Sequence, residues 1–103
     1  MVNPHRGEVA VTLDGTVHSA RLTLGALAAL EAELGADSMV GVIERFESGR
    51  FATRDVMAVL VAGLRGGGWQ GEAAELMTVE IAGGPVAAAR AAAELLARAF
   101  HGA

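Results

Sequence analysis

The sequence contains no cysteine and no tyrosine, and only one tryptophan and two prolines among 103 residues. Without cysteine there is no disulfide framework, no thiolate zinc site and no sulfur nucleophile. Lysine is absent too, so the eight basic residues are all arginine: Arg6, Arg21, Arg45, Arg50, Arg54, Arg65, Arg90 and Arg98. They are scattered through a chain of net charge −4. Nucleic-acid binding rests on a concentrated positive footprint that releases counterions from phosphate, and this distribution offers none. No stretch reaches the 18 or so uninterrupted apolar residues of a membrane span, and the first residues lack the apolar run of a signal peptide. The expected address is the cytoplasm, with no membrane partner.

What is present in quantity is small. Alanine and glycine supply 22 and 14 residues, so much of the 52% apolar content carries little side-chain volume. The core must be thin and built from Leu, Val, Ile and Met. A chain of this length accommodates one core, and a single domain over residues 1–103 is expected.

Residues 7–23 read as a β-hairpin. Val9, Val11 and Leu13 alternate with Glu8, Ala10, Thr12 and Asp14, and Asp14-Gly15 suits a two-residue turn in which both positions take positive φ. The return strand is expected over Val17–Leu22. That turn pairs Val11 with His18 and Val9 with Ala20, placing His18 on the face of the valine stripe. From Leu24 the period becomes helical, and residues 24–101 read as a compact bundle of four to five short helices, which makes the fold class α+β. Thr23 is the expected cap of a first helix carrying Leu24, Leu27, Leu30 and Leu34 and ending at Gly35. Asp37 or Ser38 opens a second, with Met39, Val42, Ile43 and Phe46 on one face and a stop at Ser48-Gly49.

Thr53 opens a third helix, whose apolar front of Val56, Met57, Val59, Leu60, Val61 and Leu64 is wide enough for the centre of the bundle. Gly66-Gly67-Gly68 stops it. A weaker helical segment spans Glu72–Ile81, with Leu76 and Met77 as expected anchors. The last helix, Pro85–Phe100, begins with proline in a favoured first-turn position and is alanine-rich. Its docking is expected to rest on Leu95, Leu96 and Phe100.

No motif for chemistry survives its context. The Gly63–Gly68 stretch follows a helix rather than a strand, so it is not a phosphate loop. His5, His18 and His101 share no metal-ligand spacing with one another or with a carboxylate. The pairs Glu31/Glu33, Glu44/Glu47 and Glu72/Glu75 lie on polar helix faces, where solvated charge explains them. Ser19, Ser38 and Ser48 lack a nucleophile elbow. No catalytic, cofactor-binding or metal-binding residue is assigned, and an enzyme is not expected.

Two features point instead to protein contact. A two-stranded hairpin is marginal alone, so it lies on the helices, pairs with another chain, or does both; Val9 and Val11 are its candidate contact residues. Trp69 stands in a glycine-flanked loop, where it either tucks under the bundle or projects as an anchor. Phe51 is a similar candidate, placed to staple the third helix near Met57, while Phe46 reads as core.

The ordered run Arg21-Leu22-Thr23-Leu24-Gly25-Ala26-Leu27-Ala28-Ala29-Leu30-Glu31-Ala32-Glu33-Leu34-Gly35, then Ile43-Glu44-Arg45-Phe46 and Phe51-Ala52-Thr53-Arg54-Asp55, resembles a small gene-transfer-agent family of phage-like tail gene clusters. The opening Val2-Asn3-Pro4-His5-Arg6-Gly7-Glu8 and the closing alanine-rich helix are similar to that family as well. Its members are described as tail-assembly chaperones and, in some descriptions, as tail-tube components. The resemblance implies a non-enzymatic factor that holds tail proteins, such as the tape-measure protein or the tail-tube protein, during assembly. It supplies no catalytic residues. A structural tube or connector subunit is the alternative, and self-association into a homo-oligomer fits a small chain with a strand edge to hide.

Overall fold

The computed structural model describes residues 7–34 and 39–101. Strands β1 (Val9–Leu13) and β2 (Thr16–Ala20) form an antiparallel hairpin, followed by helices α1 (Leu24–Glu33), α2 (Met39–Ser48), α3 (Thr53–Gly66), α4 (Ala73–Leu76) and α5 (Gly84–His101). The α+β class and the hairpin-then-helices order match the sequence expectation. The caps assigned to Gly35 and to Asp37 or Ser38, the histidine His5 and the side chain of His101 lie outside the described residues.

Asp14 and Gly15 take φ of 48° and 81°, so the turn is the two-residue form with positive φ at both positions. The register follows: Val9 pairs with Ala20 and Val11 with His18. Val9, Val11 and Leu13 face inward and are buried, while His18, on the same face, is half-buried. The return strand is shorter than its hydrophobic pattern, ending at Ala20, because the Arg21 amide turns away to donate to the Gly63 carbonyl at 2.8 Å. That bond ties the end of β2 to α3.

Helix α3 lies at the centre and packs on α1, α4, α5 and β2. Its last turns carry glycine where neighbours come closest. A Cβ at Gly63 would stand 2.7 Å from a methyl of Leu95 on α5. At Gly66 and Gly67 it would run into the backbone carbonyls of Arg21 and Ser19. The glycine run therefore does more than stop the helix: it forms a flat face on which the hairpin and α5 are seated. Interior glycine costs a helix about 1 kcal/mol per residue, which the buried Leu60, Leu64 and Leu95 offset at about 1.5–3 kcal/mol each.

Three expectations are corrected. Leu24 is 87% exposed, because the Thr23 hydroxyl accepts from the Ala26 amide at 3.1 Å and fixes Leu24 as the first helical residue. Six residues from Leu30, it lies about 120° around the helix from the buried Ala26, Leu30 and Leu34 face. The segment Glu72–Ile81 is one helical turn, Ala73–Leu76, not a helix throughout. Leu76 is buried as expected, whereas Met77 is 76% exposed. The β-branched Thr78, Val79 and Ile81 favour extended backbone. Accordingly, residues 80–82 run along the outer edge of β1: Ile81 bridges Leu13, the Asp14 amide donates to the Glu80 carbonyl at 2.8 Å, and the Ala82 amide donates to the Thr12 carbonyl at 3.1 Å. The Asp14 carboxylate also accepts from the Glu80 amide at 2.9 Å. On α5, Leu95 and Leu96 are buried but Phe100 is 43% exposed; Ala88 and Ala92 complete the buried face.

Helix α2 is joined to α3 by the ion pair that lies deepest among those described. Arg45 donates through Nε and Nη2 to both carboxylate oxygens of Asp55, at 3.1 and 3.0 Å, and the Ala52 amide donates to Asp55 at 2.8 Å. Beside it the rings of Phe46 and Phe51 stack at 4.9 Å between centroids. Burial raises the Asp55 carboxyl, but the Arg45 hydrogen bonds, the Ala52 amide and the charges of Arg45 and Arg54 outweigh it and hold the group below its ordinary value of 3.8.

Two outcomes are expected. Asp55→Asn removes the negative charge to which Arg45 Nε and Nη2 both donate and lowers stability at pH 7 by about 2–3 kcal/mol in urea denaturation. The wild-type contribution is fully present above 3.8 and disappears as pH falls through the depressed folded value, so the stability gap between the two proteins narrows only in strong acid. Gly67→Ala forces the hairpin off α3 and costs about 1–3 kcal/mol or more by the same measurement.

Candidate protein-docking site

The four residues nominated from sequence are not brought to one place. Val9 and Val11 are buried, 6% and 3% exposed, with their side chains in the protein's own core. Phe51 is half-buried against Phe46 just before α3, and Trp69 is half-buried just after it. A helix of 14 residues, about 21 Å long, separates the two aromatic positions.

Trp69 packs against the core rather than standing clear of it. Its amide donates to the Leu64 carbonyl at 2.9 Å, continuing the end of α3. The indole lies over Gly71, where a Cβ would collide with the six-membered ring. Arg65 holds the loop closed by donating through Nε to the Gly71 carbonyl at 3.1 Å.

An open concavity lies elsewhere, between α1, α3 and α4, with a volume of about 910 Å³. Its walls are mostly small and apolar: Ala29 and Leu30 from α1, Met57, Ala58 and Val61 from α3, and Ala74 from α4. Glu33 and Arg54 stand toward one end and Arg65 and Glu72 toward the other. An apolar groove between helices is one of the two contact modes the sequence suggests, but none of the residues singled out there, Val9, Val11, Phe51 and Trp69, lines this one. Its signal was the surplus width of the apolar front on α3: Val59, Leu60 and Leu64 fill the core, leaving Met57 and Val61 half-buried on a second side.

Among the described residues no group of three His, Asp or Glu side chains is placed to hold a metal ion. Likewise, no described helix is long and apolar enough to cross a membrane. A cleft of alanine, methionine and valine with mixed charge at its ends suits the apolar side of another polypeptide, of the helix-in-groove kind.

The hairpin is seated on α3 and α5, and the apolar groove opens between α1, α3 and α4. The chain belongs to the family described as phage tail tube protein, GTA-gp10, whose model matches residues 6–102. It is therefore a tail-related protein of phage or gene-transfer-agent type. No curated protein and no solved structure matches it.

Gly71→Ala is expected to push the indole out of its seat and into water. Because Trp69 is the sole tryptophan, intrinsic fluorescence reads this directly. The emission maximum moves to longer wavelength while helical circular dichroism is retained.

Proposed function

We propose that this protein is a non-enzymatic tail-assembly chaperone, which binds a tail protein such as the tape-measure protein in the cytoplasm while the tail is built. The observation that carries the reading is the sheet. A tube ring closes through extended β-structure shared between subunits, and the described residues contain one two-stranded hairpin. The outer edge of β1, from Thr12 to Asp14, is already taken by the chain's own Glu80–Ala82. The groove between α1, α3 and α4 supports the same reading, because it offers apolar surface without a reacting group.

The partner segment that fits this groove is an amphipathic helix. Strand addition along β1 would be confined to Val9–Val11, the part of the strand that residues 80–82 do not pair with. Val9 and Val11 contribute to a contact by holding the hairpin in place, not by their side chains.

A second reading, a tail-tube or connector subunit, is favoured by the description attached to the family. The two separate on one measurement. A chaperone is absent from purified particles or far below stoichiometric; a tube subunit is present at many copies per particle.

Co-expression with the tape-measure protein encoded in the same tail cluster is expected to yield a soluble complex. Ala29→Trp fills the groove from an exposed position on α1. It should reduce recovery of that complex at least tenfold while changing stability by no more than about 0.5 kcal/mol. Unchanged solubility and no co-purification with the wild type overturn the proposal.

A further inference from the structure

Helix α5 has a second face that the core does not use. Ala88, Ala92, Leu95 and Leu96 are buried on one side. On the other, Val86, Arg90, Ala93, Ala97 and Phe100 recur at intervals of four, three, four and three residues. That is the spacing of a seam between two helices. Val86 and Phe100, at its two ends, are 67% and 43% exposed. Arg90 and Ala97 are exposed and Ala93 is half-buried between them. The stripe covers about 21 Å of an 18-residue helix.

The charges beside this stripe select its occupant. Arg90 and Glu94 lie on the same flank of the helix, one turn apart. When two copies of α5 are laid antiparallel about a two-fold axis at Ala93, like flanks face each other. Arg90 of each copy then stands within about 3 Å of axial rise of Glu94 of the other. Glu94 accepts from Arg98 of its own helix at 2.7 Å, yet its side chain remains 44% exposed, and a carboxylate has acceptor sites for a second guanidinium.

The same arrangement sets bulky Phe100 against the smaller Val86, brings alanine to the middle where the helices come closest, and opposes the helix dipoles. A parallel pair instead stacks Arg90 on Arg90 and Phe100 on Phe100. We propose that the outer face of α5 is a self-association surface, on which a second copy of this chain docks antiparallel through Val86, Ala93, Ala97 and Phe100, with reciprocal Arg90–Glu94 pairs. The contact is small, so the dimer is weak and forms as concentration rises. It leaves the groove between α1, α3 and α4 open and does not depend on what that groove binds.

The test uses the full chain. In sedimentation equilibrium from about 5 µM to about 500 µM, a range suited to a contact at the small end of the size scale, the mass should climb from 10.5 kDa toward twice that value. Arg90→Glu alone and Glu94→Arg alone should each remain monomeric, because each sets like charges face to face. An equimolar mixture of the two should dimerise, since every cross-pair is then opposite in sign.

Orientation is read by disulfide formation, which is clean because the natural chain has no cysteine. A Val86→Cys copy should cross-link to a Phe100→Cys copy in preference to another of its own kind. Circular dichroism confirms that each variant keeps its helices, and the cross-linking uses substitutions independent of the charge pair. A mass fixed at 10.5 kDa throughout overturns the proposal. So does a dimer indifferent to Arg90→Glu, or cross-linking of Val86→Cys to itself alone.

Discussion

The close seating of the hairpin on the end of α3 is the constraint from which the remaining arrangement follows. The Arg21 amide reaches the Gly63 carbonyl, and the Arg21 and Ser19 carbonyls lie where side chains at Gly66 and Gly67 would otherwise stand. With the hairpin held there, Val9, Val11 and Leu13 turn toward α5 and close the core from behind. Leu95 enters over Gly63 from another side. A chain rich in alanine and glycine has little bulk with which to fill gaps, so it gains stability by bringing backbones near one another.

That economy shapes the functional surface as well. Helix α3 is surrounded by α1, α5, β2 and the single turn of α4, but a four-residue helix cannot cover its whole length. The groove is the part of α3 and α1 that α4 leaves open. Its walls are the methionine, valine and alanine positions that a longer fourth helix would have buried. The Arg45–Asp55 pair fixes the start of α3 against α2, and the Thr23 hydroxyl caps the start of α1, so two of the groove's walls are each secured at an end.

Features set by neighbouring residues were legible in the sequence. Asp14-Gly15 dictates a tight turn, and the turn dictates the register of every pair from Val9 to Ala20. Thr23 caps α1 as its hydroxyl chemistry requires, and the breadth of apolar residues on α3 marks it as central. What could not be read depends on partners distant in sequence. Ile81 belongs to a helical pattern until the β1 edge becomes available to it. Leu24 and Met77 look like anchors until the cap of α1 and the shortness of α4 turn them outward. Trp69 had two open readings, and Gly71 beneath its ring decides for packing. The groove is a consequence of helix lengths and crossing positions, which periodicity alone does not encode.

The bond between Asp14 and Glu80 spans 66 residues. Translation proceeds at roughly 5–20 residues per second, so several seconds separate the appearance of the hairpin tip from that of the segment that shields it. Throughout that interval the nascent chain displays a bare strand margin beside its own ribosome and its neighbours on the same message. The order of synthesis thus gives this protein a brief adhesive youth that the finished molecule has folded away over Thr12–Asp14.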